Sequence, residues 1–153
     1  MRKVILVIIL CGFSSYIFSQ HKANKKLDKS NCITLGILQG GGSIFGVDFE
    51  TLLSKQFGVQ VGVGVVGFGA GLNYHFKPSI RSSFISLQYF HQGLWNSFTQ
   101  SVIGSSLVYR GKKWFTFQIG LGAPIDRGPA LPYDFEQPPV ILLYSIGAYI
   151  PVR

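Results

Sequence analysis

The sequence predicts an all-β fold, a closed antiparallel up-and-down β-barrel of eight strands preceded by a cleaved signal peptide. Three observations lead to this prediction. Large apolar residues alternate with small or polar ones over eight segments, as in strands with two different faces. The chain holds 19 Gly, and 14% of its residues are aromatic whereas only 13% are charged. The amino terminus, finally, has the pattern of a secretory signal.

The amino-terminal stretch MRKVILVIILCGFSSYIFSQ places Arg2 and Lys3 ahead of a short apolar run and a serine-containing segment. The apolar run is too short for a transmembrane helix. We therefore expect a signal peptide over residues 1–19, cleaved after Ser19, with an uncleaved anchor as the alternative.

Residues 20–30 are predicted to form a flexible basic lead-in, and residues 31–153 the barrel domain. No basic helix or aromatic-interleaved groove accompanies the lysines of the lead-in, so we do not expect nucleic-acid binding. Cys32 is the single cysteine left after cleavage, which excludes an intramolecular disulfide. We interpret it as a small, half-buried strand residue.

Eight segments alternate with period two and are separated by short polar stretches. The predicted strands cover residues 32–39, 43–53, 57–65, 68–76, 81–91, 98–110, 114–122 and 140–150. The fourth gives the clearest contrast, because Phe68, Leu72 and Tyr74 alternate with Gly71 and Asn73. One kinked strand over residues 57–76 is the alternative and would give seven strands.

The second face of these strands consists mainly of Gly, Ser, Thr, Gln and Asn, with few charges. This composition fits a narrow lumen packed with small side chains, while the apolar face meets outer-membrane lipid. An open sheet edge in hydrocarbon would leave backbone groups unpaired, so the strands must close into a membrane β-barrel. Aromatic residues near the strand ends are interfacial girdles or interior packing residues: Tyr74, Tyr89, Trp95, Tyr109, Trp114, Tyr144 and Tyr149.

The connections between the predicted strands alternate between periplasmic turns and external loops. Short turns that carry lysine are predicted at residues 54–56, 77–79 and 111–113, and loops at 40–42, 66–67, 91–97 and 123–139. If the amino terminus is periplasmic, the two longest connections both lie outside the cell, as in bacterial barrels. The loop at 123–139 is expected to contact a surface partner or to be a passive surface loop.

Charged residues predict a polar network inside the barrel. Asp48 and Glu50 share the inward face of the second strand, and charges inside a barrel are tolerated when they are paired. Their candidate partners are His75, Arg81 and Arg110. A proton- or ion-binding site is the alternative interpretation of this network.

No motif predicts catalysis, a metal or a cofactor. Residues 62–67 match G-x-G-x-x-G, but the following residues alternate like a strand and no acidic residue lies about 20 positions further on. Ser82, Ser83 and Ser86 show no specific spacing to a histidine and an acid. His75 and His91 with a lone cysteine do not make a metal site.

The assembled pattern resembles the small eight-stranded outer-membrane barrels of the OmpA-transmembrane and OmpX kind over residues 31–153. The stretches GVQVGVGVVGFGAGLNYHFKP and SSFISLQYF are similar to glycine-rich strand pairs of outer membrane β-barrel domain proteins. The resemblance implies the outer membrane of a Gram-negative bacterium, insertion by the barrel-assembly machinery, and a structural or surface-interaction role. The chain departs from the pattern in ending YIPVR rather than on a terminal aromatic residue.

Two other functions stay open at this point. A lipid-modifying outer-membrane barrel enzyme requires a His, a Ser and an acid on one membrane-facing wall. A soluble periplasmic barrel that binds an apolar ligand requires the large apolar residues to point inward.

Overall fold

The computed structural model describes residues 29–94 and 97–153, so the predicted signal peptide, most of the basic lead-in and Trp95 lie outside the described residues. These residues form an all-β, closed barrel of eight antiparallel strands, each paired with its sequence neighbours and the last with the first. The strands are β1 (Asn31–Ile37), β2 (Phe45–Leu52), β3 (Phe57–Gly64), β4 (Gly67–His75), β5 (Phe84–Leu94), β6 (Ser97–Arg110), β7 (Phe115–Arg127) and β8 (Ile141–Val152). Within the described ranges, no helix is long and apolar enough to cross a membrane.

The register of the pairs defines the size of the barrel. One path of directly opposed residues starts at Cys32 and reaches β8 at Ile141, passing through Glu50, Gln60, Gly71, Gln88, Gly104 and Gly122. Cys32 is itself opposed by Pro151 on β8, ten residues from Ile141, so the shear number is 10. Eight strands with this stagger enclose an interior that side chains can fill.

Side chains alternate between the outer wall and the lumen along every strand. On β4, Leu72 and Tyr74 are exposed on the outer wall, whereas Asn73 and His75 are buried inside. The separate antiparallel strands β3 and β4 confirm eight strands rather than the seven of the kinked alternative.

Several predicted strand boundaries were wrong, among them those of the first, second and fifth strands. β2 begins at Phe45 instead of residue 43, and β5 ends at Leu94 instead of residue 91. β1 ends at Ile37 instead of residue 39, because Leu38 has a φ of 59° and turns the chain away from the strand direction. β5 begins at Phe84 instead of residue 81, because a turn in which Ser82 N–H donates to the Ser79 carbonyl precedes it.

The predicted end of the seventh strand was also wrong. β7 continues to Arg127, five residues beyond the predicted end at residue 122. Its register shifts where Val102 opposes Pro124 and Ser101 opposes Asp126, so the proline lies at a β-bulge that tolerates its missing N–H. The predicted loop at 123–139 is therefore reduced to residues 128–140.

The connections alternate between two ends of the barrel. We call the end with Asn31 and Val152 the terminal end and the opposite end the loop end. The longest connection, residues 128–140, lies at the loop end. The second longest, residues 76–83, lies at the terminal end, so the prediction that the two longest share one end was wrong. This connection is long because it buries Ile80, which is 1% exposed, in a cluster with Cys32 and Tyr149.

Candidate functional site

A buried ion cluster lies in the terminal half of the lumen. The Nη2 atom of Arg110 is 2.7 Å from Oε2 of Glu50, and Nε2 of His75 is 2.9 Å from Oε1 of the same carboxylate. Asn73 donates its side-chain N–H to Glu50 as well. Oε1 therefore receives the hydrogen bonds of the cluster, whereas Oε2 has the ion contact with Arg110 but no hydrogen bond of its own. The nearby cation and donors offset the cost of removing the carboxylate from water.

Aromatic rings and a backbone carbonyl hold the Arg110 guanidinium in place. Its central carbon lies 4.8 Å from the ring centre of Phe84 and 5.0 Å from that of Tyr149. Arg110 also donates to the carbonyl of Ile80, and the Tyr149 hydroxyl donates to the carbonyl of Gly111. Tyr149 is therefore a lumen residue rather than part of an interfacial girdle.

The predicted network is found in part. Glu50, His75 and Arg110 come together as predicted. Arg81 does not belong to the cluster: it is exposed in the connection at the terminal end, where its Nη1 lies 3.4 Å from the Lys113 carbonyl. Asp48 is buried, but Oδ1 accepts from the backbone N–H of Gly40 at 3.2 Å, and no cation pairs with it among the described residues.

The contact between Asp48 and Gly40 identifies a feature that the sequence did not predict. The connection between β1 and β2 folds into the lumen from the loop end and fills it like a plug, which we define as residues 38–44. Gln39 and Ser43 of the plug are 6% and 3% exposed. The Gln39 amide donates to Oγ of Ser145 on the neighbouring strand β8 at 2.9 Å.

Inward-facing glycines make room for the plug. A Cβ atom added to Gly62 would lie 3.1 Å from the Cα of Gly40, and one added to Gly69 would lie 3.3 Å from the Cα of Gly41. Gly40 itself has a φ of +62°, a left-handed backbone conformation that residues other than glycine rarely adopt. The glycine-rich repeats of β3 and β4 thus accommodate the backbone of the plug.

A ladder of uncharged polar side chains fills the lumen between the plug and the ion cluster. The Gln118 amide donates to Oε1 of Gln88 at 2.6 Å and lies 2.9 Å from Oγ of Ser106. A cavity at this level, lined by Gln60, Arg110 and Gln118 among others, has a volume of about 10 Å³. This is about the volume that one water needs, so side chains fill most of the lumen at this level.

A second polar cluster lies on the outer wall near the loop end. Nδ1 of His91 is 2.9 Å from Oγ of Ser101, and the Tyr89 hydroxyl approaches the same oxygen at 3.3 Å. The His91 ring lies between Phe68 and Phe98, with ring centres 4.9 and 4.7 Å away. Sequence reasoning missed Ser101, because the pairing of β5 with β6 brings it beside His91.

The outer-wall cluster has only part of the geometry of a catalytic triad. Asp126 lies opposite Ser101 in the register, but no hydrogen bond joins a carboxylate to His91 in the described part of the chain. Ser101 is 3% exposed, so its hydroxyl is covered by its neighbours. The serines considered from sequence lie elsewhere: Ser86 is buried in the lumen, where it donates to Asn73, and Ser82 and Ser83 lie in the terminal-end connection.

The other single residues fall into simple environments. Cys32 is fully buried at 0% exposure instead of half-buried. Residues 29–94 and 97–153 hold no group of three His, Cys, Asp or Glu side chains arranged for a metal ion.

No protein-family model, curated protein or solved structure matches this chain.

Proposed function

We propose that this chain is an outer-membrane β-barrel protein of a Gram-negative bacterium, with a structural or surface-interaction role and no catalysis. The observation that carries the proposal is the distribution of polarity: the outer wall is apolar, whereas the lumen is polar and packed. A soluble barrel that binds an apolar ligand requires the reverse arrangement.

The extent of the apolar wall supports a lipid environment. Among the described residues, 34 large hydrophobic side chains are exposed, including Val61 at 57%, Val63 at 65% and Leu72 at 61%. Soluble monomers rarely expose a contiguous apolar patch larger than a few hundred Å². Hydrocarbon around the wall removes the cost of exposing these side chains to water. The pairing of β8 with β1 over residues 146–152 closes the barrel, as a sheet in hydrocarbon requires.

Aromatic residues at the end of the wall support the same environment. At the terminal end, Phe57 packs on Tyr74 with ring centres 5.1 Å apart, and Trp114 lies 6.2 Å from Phe115. Aromatic residues are enriched at both membrane interfaces of outer-membrane barrels. In this proposal the terminal end faces the periplasm, where the barrel-assembly machinery acts on the chain, and the loop end faces outside.

The closed lumen and the longest loop favour a surface role over transport. From the loop end to the terminal end, the plug, the polar ladder and the ion cluster fill the lumen one after another. In the loop at 128–140, Tyr133 is 101% exposed and Phe135 is 51% exposed, with the acidic residues Asp134 and Glu136 beside them. Exposed aromatic side chains are favoured at protein interfaces, so this loop is the proposed contact with a surface partner.

Membrane fractionation with heat-modifiable gel mobility tests the proposal. We expect the protein in the outer-membrane fraction, released only by detergent, with a folded band that shifts in mobility after boiling. Recovery of the protein in the soluble periplasmic fraction without detergent would refute the membrane location.

A lipid-modifying enzyme is the second candidate, favoured by the contact between Ser101 and His91. A histidine within hydrogen-bond distance can activate a serine for attack on an ester. The covered Ser101 hydroxyl favours the first proposal instead. Mass spectrometry of lipid A and phospholipids from cells with the wild-type chain or Ser101→Ala decides between them: a deacylated species lost in the variant establishes the enzyme, and identical lipid profiles exclude it.

A further inference from the structure

Two cavities adjoin at the loop end of the barrel. The inner one has a volume of about 150 Å³, and the outer one a volume of about 310 Å³. Both are lined by Gly42 of the plug and by Gln92 of β5, so they meet at these two residues. The two linings differ in polarity, and this difference indicates the chemical class of a ligand.

The inner cavity is mainly apolar. Leu38, Phe90, Val102 and Leu143 line its lumen side, and Gln118 lies at its inner limit. Val102 is 1% exposed and Leu143 is 8% exposed, so these walls are shielded from solvent. Its volume is about that of an apolar cavity that accepts a hydrocarbon of about six carbons.

The outer cavity offers hydrogen-bonding groups without charge. Ser43, Gln92, Ser97 and Thr99 line it together with two aliphatic residues, and its described lining carries no Lys, Arg, Asp or Glu. Gln92 is held in place because Oε1 accepts from the Gln100 amide at 2.8 Å. Such a lining suits hydroxyl, ester or amide groups better than an ion.

The inner cavity also reaches the outer wall beside β8. β1 stops at Ile37, which opposes Ile146, so residues 141–145 of β8 pair with β7 alone. The cavity is lined both by Leu143, which points inward, and by Leu142 and Tyr144, each 55% exposed on the outer wall. Residues of both faces of β8 therefore border the cavity, at a place where β8 pairs with no second strand.

We infer that the loop end of the barrel binds a single-chain amphiphile with an uncharged, hydrogen-bonding headgroup. The end of the alkyl chain occupies the inner cavity, and the headgroup occupies the outer one. The gap beside β8 admits the chain from the surrounding lipid. This inference rests on the proposed membrane location and adds a ligand class to the proposed surface role.

Photochemical labelling of the reconstituted protein tests the site. The full chain in phosphatidylcholine vesicles is exposed to a monodecanoylglycerol that carries a diazirine at the end of its chain, and labelled residues are mapped by mass spectrometry. We expect labels on Phe90, Val102 and Leu143, and stronger competition by unlabelled monodecanoylglycerol than by decanoate.

Val102→Trp fills the inner cavity and is expected to reduce labelling of the lumen residues about tenfold or more. Each methylene of the alkyl chain that is kept out of the cavity lowers the binding affinity several-fold. Leu107→Trp is the matched control, because Leu107 lies on the same strand but is 48% exposed on the outer wall. Leu143→Phe fills less of the cavity and serves as a second variant if Val102→Trp does not fold.

The outcomes separate this inference from the function on which it rests. If labels are confined to outward residues such as Leu107 and do not change in Val102→Trp, the binding site is refuted. This result leaves the proposed membrane barrel unaffected. Equal competition by decanoate overturns the uncharged headgroup. Absence of a heat-modifiable folded band in the wild-type chain refutes the membrane barrel itself.

Discussion

Arg110 and Glu50 form an ion pair that spans the lumen, with Nη2 and Oε2 2.7 Å apart. Glu50 belongs to β2 and Arg110 to β6, which are four strands apart in a ring of eight. The pair therefore joins opposite walls of the barrel. Both side chains are 2% exposed, so water does not compensate for the loss of either partner.

Arg110→Met is expected to destabilise the barrel by about 3–5 kcal/mol, because it leaves the Glu50 carboxylate buried without its cation. Urea unfolding of the barrel in lipid vesicles, followed by tryptophan fluorescence, measures the change. The double variant Arg110→Met with Glu50→Gln is expected to recover part of the loss, since no unpaired charge remains.

Arg81→Met is the matched control for this prediction. Arg81 was predicted to join the same network, but it is exposed at the terminal end. We expect the free energy of unfolding of the Arg81→Met variant to differ from that of the wild type by less than about 0.5 kcal/mol. Equal losses for Arg81→Met and Arg110→Met would contradict the assigned ion pair.

Gly62→Ala is expected to displace the plug. Its new Cβ would lie 2.9 Å from Cγ of Asp48 and 3.1 Å from Cα of Gly40, closer than packed atoms normally approach. Overpacking of this kind costs about 1–3 kcal/mol. Gly111→Ala is the control, because the nearest atom to its Cβ is the Phe115 carbonyl oxygen at 3.3 Å. If both variants unfold at the same urea concentration, the plug does not depend on the glycine at 62.

The wild-type barrel is expected to conduct no ions in planar lipid bilayers. The plug closes the loop end, the Gln88–Gln118 ladder fills the middle, and the Arg110–Glu50 pair closes the terminal half. Current recordings with inserted protein check this expectation. Stable conductance steps from the wild-type chain would mean that the lumen opens.

Alternation along the sequence predicted the eight strands and the inward position of Glu50, His75 and Arg110. A period of two assigns faces reliably because a shift of one residue would move every apolar side chain to the wrong face. The ends of strands are less constrained. Arg81 was misplaced because the alternation continues along the sequence into a segment that forms a turn at the terminal end and buries Ile80.

The plug could not be predicted from local pattern. The glycines of the second strand face were predicted to line the lumen, and Gly62 and Gly69 do so next to the plug. The sequence does not indicate what fills the space beside a glycine. The occupant, Gly40 and its neighbours, is defined only when β1 and β2 are paired and Asp48 accepts the Gly40 N–H at 3.2 Å. The pair of His91 and Ser101 was missed for the same reason, since the register of two strands creates it.

The central claim, that the outer wall contacts hydrocarbon, is tested most directly by comparing Val61→Arg with Ile44→Arg. Both residues are exposed, at 57% and 64%, but Val61 lies in the middle of the wall and Ile44 at the loop end. In lipid vesicles we predict a loss of about 2–4 kcal/mol of unfolding free energy for Val61→Arg and about 0–1 kcal/mol for Ile44→Arg. A loss below about 0.5 kcal/mol for both variants, as for water-exposed sites, would contradict the claim.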